Sequence, residues 1–322
     1  VTINLSLNWN HTFLVTTQWT PSNPGRQRFF SPIDGRGLTF KKPFICAILG
    51  SIFAFYLYKY ETASLIGVFG MRFHTLFGGP VSVLLGMRVT SGYSRWWEAR
   101  GLWGSIVNMS RNACRTISGY TSSRSSEEEK EVAKTCAYVT AFAASARRHL
   151  RDENVLPELE GVLAADEIED IIAARSKPQY CLGIITGDLQ KYNLQGRLND
   201  LKLTLCDVAL QRFEDALGAC ERIKKTPQPF GLVALFRTLL SVYLLTLPAA
   251  LFSPTTPAIV AFGITFLVSV AMFGMEQIGT ELEMPFGYDR NDLPLKAITT
   301  TITGDVEWLS KTFTDNSPIP EK

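Results

Sequence analysis

Apolar positions in this chain are bunched rather than spread. Thr238–Met275, about 38 positions, carries no charged residue, a length that a bilayer demands and a soluble core rarely does. Two membrane spans are read around it, Phe230–Phe252 and Ala258–Met275, joined by the proline-bracketed turn SPTTP. A third span, Pro43–Tyr60, is apolar for about 16 residues before Lys59, short for a crossing but flanked by Lys and Tyr anchors. On length alone, a core helix is its rival. Ala63–Gly78 is punctuated by glycines and interrupted by Arg72 and His74, the pattern of a turn and re-entry between two spans.

The next stretch, Gly79–Arg111, changes character along its length. Pro80 suits a first helical turn, where a missing N–H costs nothing. Gly79, Val83 and Met87 fall at i, i+4 and i+8 and so share one helix face. Arg88, Arg95, Glu98, Arg100 and Arg111 follow, while Leu102, Ile106, Met109, Ala113 and Ile117 keep helical spacing. A helix that passes from lipid-compatible to water-compatible chemistry crosses a membrane surface and continues into solvent. Taken alone, an apolar stripe packs against another helix more often than it lines a path.

Ser118–Gln228 is helical and water-compatible. Ser126, three residues before Glu129, suits a capping box opening an Ala-rich helix to Leu150. Two acidic amphipathic pieces follow in Pro157–Ala174, then helices over Tyr180–Leu194 and Leu198–Lys225. The organisation is therefore 1–42, irregular with at most a short helix; 43–111, two spans; 112–229, a soluble helical domain; 230–275, two further spans; and 276–322, a turn and peripheral tail. The fold class is an all-α membrane protein with four spans in two hairpins. Arg26, Arg28, Arg36, Lys41 and Lys42 precede the first span, which puts both ends and the middle domain on the cytosolic or equivalent side.

Composition removes several alternatives. With 32 basic and 30 acidic residues and a net charge of +2, the chain has no basic face for a nucleic acid. Its six cysteines lack a C-x-x-C pair and read as buried thiols rather than disulfides or a zinc site. His11, His74 and His149 are too far apart for a local metal motif, and no basic-then-apolar leader opens the sequence. An enzyme would need convergent acid, base or nucleophile groups near the spans, and no such set is visible. A membrane-anchored adaptor or scaffold without transport activity remains the other class.

Three segments then narrow the choice. LLGMRVTSGYSRWWEARGLWGSIVNMSRN resembles the second-span signature of the bestrophin anion channels, especially the branch shared by prokaryotes, algae and plants. ACERIKKTPQPF before a span and ELEMPFGYDRNDLPL after one resemble that family's two other signatures, in the same order. The resemblance spans most of Pro43–Leu295. It implies a homopentamer in a lipid bilayer around one axial pore, conducting chloride and, as a further candidate, bicarbonate, with no cofactor required. Gly79, Val83 and Met87 match the family's neck, where bulkier Ile or Phe is usual, so the neck here is expected to be wider or more easily wetted.

Beyond the neck, Arg88 could raise local anion concentration or form a salt bridge. GRLNDLKL resembles the segment of the lower constriction, which points to Lys202 or its neighbours Leu201 and Leu203. Pro285-Phe286-Gly287 with Asp289 and Asp292 resembles the calcium clasp of animal members, though Arg290 and Asn291 break its acidic run. Trp96, Trp97 and Trp103 are expected to lock the central helix against neighbours. The acidic segment Asp166–Ile172 followed by ARSKP resembles thylakoid members, which favours a thylakoid over a plasma or bacterial inner membrane.

Overall fold

The computed structural model describes residues 41–59, 70–123, 125–251, 258–289 and 291–314. Residues 1–40 of the expected irregular segment, 63–69 of the expected turn and re-entry, the SPTTP turn and Arg290 lie outside them, while Lys41 and Lys42 already belong to a helix. In chain order the helices are α1 (Lys41–Lys59), α2 (Met71–Tyr120), α3 (Ser126–Leu150), α4 (Ala165–Ala173), α5 (Lys177–Leu194), α6 (Asp200–Lys225), α7 (Phe230–Leu251), α8 (Ala258–Glu283) and α9 (Leu295–Thr314). One 3-10 turn, Pro157–Leu159, lies between α3 and α4. The chain is all-α among the described residues.

The organising element is α2. Its 50 residues reach roughly 75 Å at 1.5 Å per residue. Its first half packs against α7 and α8, and its second half against α3, α6 and α9, while α1 lies on α7 and α8. Two cores result. The smaller joins Val81 and Leu85 to Phe236, Leu240 and Leu244 of α7. The larger runs through α2, α3, α5, α6 and α9 and includes Trp103, Phe142, Tyr192 and Phe213.

The helix begins earlier than its sequence suggests. Met71–Gly78 is already helical, so Pro80 lies inside α2 rather than in its first turn. Proline removes one backbone donor but holds φ near a helical value, and packing against α7 carries the helix through it. His74 is correspondingly no turn residue. It is buried against α7, with Nε2 3.2 Å from both Tyr243 O and Thr246 Oγ1 and Nδ1 3.3 Å from Gly70 O.

Other boundaries move less. The α3 cap is Ser125, whose side chain accepts from Glu128 N at 3.3 Å, one residue before the expected Ser126. In place of a peripheral tail there is α9, an amphipathic helix that buries Leu295, Ile302 and Val306 against α2 and α3. α7 and α8 have the length and mean hydropathy (1.9 and 2.0) of membrane-spanning helices, the two that do so among the described residues. Cys114, Cys136, Cys181, Cys206 and Cys220 are buried thiols, and burial pushes those of Cys181 and Cys220 up to about 12.

Candidate pore-lining face and its supports

The first half of α2 has two faces of opposite character. His74, Val81, Leu85, Arg88 and Gly92 are buried toward α7 and α8. Val83 and Met87 point the other way and are 62% and 56% exposed. A Cβ built on Gly79, or on Gly86 beside Met87, would meet nothing within 4 Å. The three neck candidates thus share one open apolar face of the single chain, as their four-residue spacing requires.

The buried face is held by charge as well as by the small apolar core around Val81 and Leu85. Glu276 and Glu283 of α8 alternate with Arg237 of α7 and Arg88 of α2. Arg237 lies 2.7–2.8 Å from Glu276 Oε1. Thr280 Oγ1 accepts from Arg237 at 3.3 Å and from Arg88 at 3.2 Å. Arg88 Nη1 is 2.6 Å from Glu283 Oε2 and also bonds Gln228 Oε1. Gln228 N donates to Glu283 Oε1 at 2.6 Å. In apolar surroundings an unpaired charge is expensive, so these groups satisfy one another. This ladder corrects the expectation for Arg88. Its side chain is paired inside the subunit, only 5% exposed, and does not stand open beside Met87.

Close backbone contact adds to the ladder. A Cβ on Gly92 would come within 2.6 Å of Gly279 O, so α2 and α8 cross where only glycine fits. Below the crossing, Arg95 donates to Glu283 O at 3.1 Å and Thr226 O at 2.7 Å. Of the tryptophans, Trp103 is fully buried and Trp96 donates to Asn291 O at 2.8 Å. Trp97, by contrast, is 62% exposed, so within one chain it locks nothing.

The remaining candidates lie apart from that face. Lys202 sits in the first turn of α6, where Asn199 caps its backbone N–H at 2.9 Å. Its Nζ reaches Tyr120 O at 3.5 Å and lies 5.5 Å from the Tyr120 ring centroid. Leu203 leans on the large core, whereas Leu201 is 71% exposed. Asp292 is turned inward: its Oδ2 accepts Asp289 N at 2.6 Å and its Oδ1 has no partner. Burial pushes its carboxyl up to about 7. No group of three or more His, Cys, Asp or Glu among the described residues could hold a metal ion. Calcium takes six or more oxygens, backbone carbonyls among them, so the two candidate carboxylates could supply only part of such a shell.

Glu276, Glu283, Arg237 and Thr280 were not singled out in the sequence, although a visible signal existed. Arg237 interrupts an apolar helix, and Glu276 is the first charge after the long uncharged run. Paired charges at such positions mark functional or supporting contacts in membrane proteins.

Comparison with known proteins agrees with this architecture. The family model described as bacterial/fungal bestrophin protein matches residues 39–307. A voltage-dependent anion channel-forming protein of Nostoc is 32% identical over 277 residues, 85% of this chain and 87% of that one. A protein of the same name from Escherichia coli K12 is 30% identical over 251 residues, covering 77% and 78%. The crystal structure of a bacterial bestrophin homologue from Klebsiella pneumoniae aligns with a TM-score of 0.73 at 25% identity, over 84% of this chain and 97% of that one. The chain belongs to the bestrophin family.

Proposed function

We propose that this chain is the subunit of an anion-selective channel, a homopentamer whose axial pore is lined by the first half of α2. The observation that carries the reading is the open face of Val83 and Met87, opposite a face anchored by paired charges. A helix clamped on one side and apolar on the other suits a wall that copies of itself complete. Relatives named as anion channel-forming proteins support the same conclusion and set the enzyme class aside. Four spans are assigned: α1, the first half of α2, α7 and α8, with the soluble domain at 112–229 between the two hairpins.

In this reading Gly79, Val83 and Met87 form stacked rings, and an apolar ring gates by dewetting. Small Gly79 and Val83 make a neck that wets more readily than one of Ile or Phe. Leu201, the exposed member of the 201–203 group, is assigned to the lower constriction, with Lys202 beside it. Chloride is the permeant ion proposed, with bicarbonate as a second monovalent candidate. The protein is an integral membrane protein. Its relatives include enterobacterial proteins as well as a cyanobacterial one, so they do not favour the thylakoid drawn from Asp166–Ile172.

The test is current through the purified protein in a planar bilayer under a KCl gradient, with voltage steps. Reversal near the chloride potential is expected, and bicarbonate on one side then ranks the two ions. Val83→Ala and Met87→Ala should alter gating or permeability ratios. Absence of current at every voltage would favour the adaptor, and reversal near the potassium potential would overturn anion selectivity.

A further inference from the structure

The turn between α8 and α9 is where a calcium ion would be sought, and several of its carbonyl oxygens are already in use. Pro285 O accepts Leu293 N at 2.9 Å, and Asp289 O accepts Asp292 N at 3.1 Å. Asn291 O accepts the Trp96 indole. The two remaining carbonyls that face a common donor are Phe286 O and Gly287 O. Arg151 takes both, through Nε at 2.9 Å and Nη2 at 2.8 Å.

Arg151 is held in place through both its backbone and its side chain. Arg151 N donates to Arg148 O at 3.1 Å, closing α3. Asp152, at a left-handed φ of 56°, turns the chain there and is anchored to Lys224 of α6 at 2.6 Å. The Tyr288 ring lies 4.0 Å from the Arg151 Cζ, a cation–π distance. A planar fork of donors matches two successive carbonyls in a way that a point charge cannot.

We infer that Arg151 is the built-in cation of this turn: its guanidinium gathers the carbonyl oxygens that a divalent ion would otherwise gather, and the turn closes without metal. The connection it makes is permanent. It ties α3 and α6 to the segment that follows Glu283, the acid that holds Arg88. Calcium then has no role at this turn, whatever the chain conducts.

The experiment uses the full-length protein in detergent, followed by thermal unfolding and by terbium luminescence, with Tyr288 and Trp96 as sensitisers. The wild type should melt within about 1 °C in calcium and in chelator, and should give no saturable terbium signal. Arg151→Gln should lower the midpoint by roughly 3–8 °C in both conditions, and Arg151→Lys should recover part of the loss. Tyr288→Leu keeps both carbonyl bonds and should cost less than Arg151→Gln. Saturable calcium or terbium binding by the wild type that Asp292→Asn abolishes would overturn the inference. So would an unchanged midpoint in Arg151→Gln. If Arg151→Gln does not fold, the wild-type metal titration and the Tyr288→Leu midpoint still decide: a loss from Tyr288→Leu as large as unfolding would mean that the ring, not the carbonyl fork, holds the turn.

Discussion

The two halves of the molecule use similar apolar residues in opposite ways. In the helical domain, Phe142, Tyr192 and Phe213 are buried by neighbours from the same chain. Around α1, α7 and α8, Ile52, Ile259 and Leu267 are among the large side chains left exposed. Besides the small cluster of Val81, Leu85, Phe236, Leu240 and Leu244, that half buries Arg88, Glu276, Glu283 and His74. A soluble core hides grease and leaves most of its charge in water, although Arg147 and Arg197 are buried here against Glu158 and Glu131. In lipid, exposed grease costs nothing and the charges must find one another. Substitutions should therefore have inverted costs in the two halves.

The largest effect is expected where a charge loses its partner. Glu283→Ala leaves Arg88 buried and unpaired, which typically costs about 3–5 kcal/mol. The prediction is loss of monodisperse protein on size exclusion. Removing both charges as Arg88→Met with Glu283→Leu should restore much of the stability, because an apolar pair can replace a buried ion pair. If the single and double variants behave alike, the ladder is not what holds α2.

In the helical domain the sensitive residues are apolar. Phe142, against Phe213 at a centroid distance of 4.9 Å, should cost about 3–5 kcal/mol as Phe142→Ala. Leu267→Ala, with a side chain directed outward, should stay within about 0.5 kcal/mol. Thermal unfolding in one detergent compares them directly. A large loss at Leu267 would mean that another protein surface, not lipid, covers that face.

Glycine substitutions sharpen the comparison within α2 itself. Gly92→Ala drives a methyl into the Gly279 carbonyl, and such overpacking costs about 1–3 kcal/mol. Gly86→Ala points into open space in the single chain. Its fold should be unaffected, so any change it makes in conductance reports on what lies across the open face.

Much of this was legible in the sequence, and the failures have physical causes. The spans at α7 and α8 follow from an uncharged run that no local contact can mimic. That Gly79, Val83 and Met87 share a face followed from four-residue spacing, whereas reading that face as a neck rested on the resemblance. Pro80 misled because a proline is read as a helix start, whereas the α7 contact that carries α2 through it is non-local. α9 was missed although Leu295, Ile302 and Val306 have helical spacing, because the polar residues between them masked the stripe. Arg88 was left between anion attraction and a salt bridge for a similar reason. Its neighbours in sequence are apolar, and its partners lie 140 to 195 residues away.

A pH effect is also expected, and it belongs to the water-exposed end of the structure. Asp292 titrates near 7 in the folded chain because burial disfavours its charge, while an unfolded aspartate titrates at about 3.9. Between these values the folded state binds more protons than the unfolded one, so stability falls as pH rises from about 4 to 7 and is level above. Asp292→Asn should flatten that slope and leave a higher midpoint than wild type at pH 8, since an amide oxygen can still accept from Asp289 N. A midpoint that still falls from pH 5 to 7 in Asp292→Asn would locate the titrating group elsewhere.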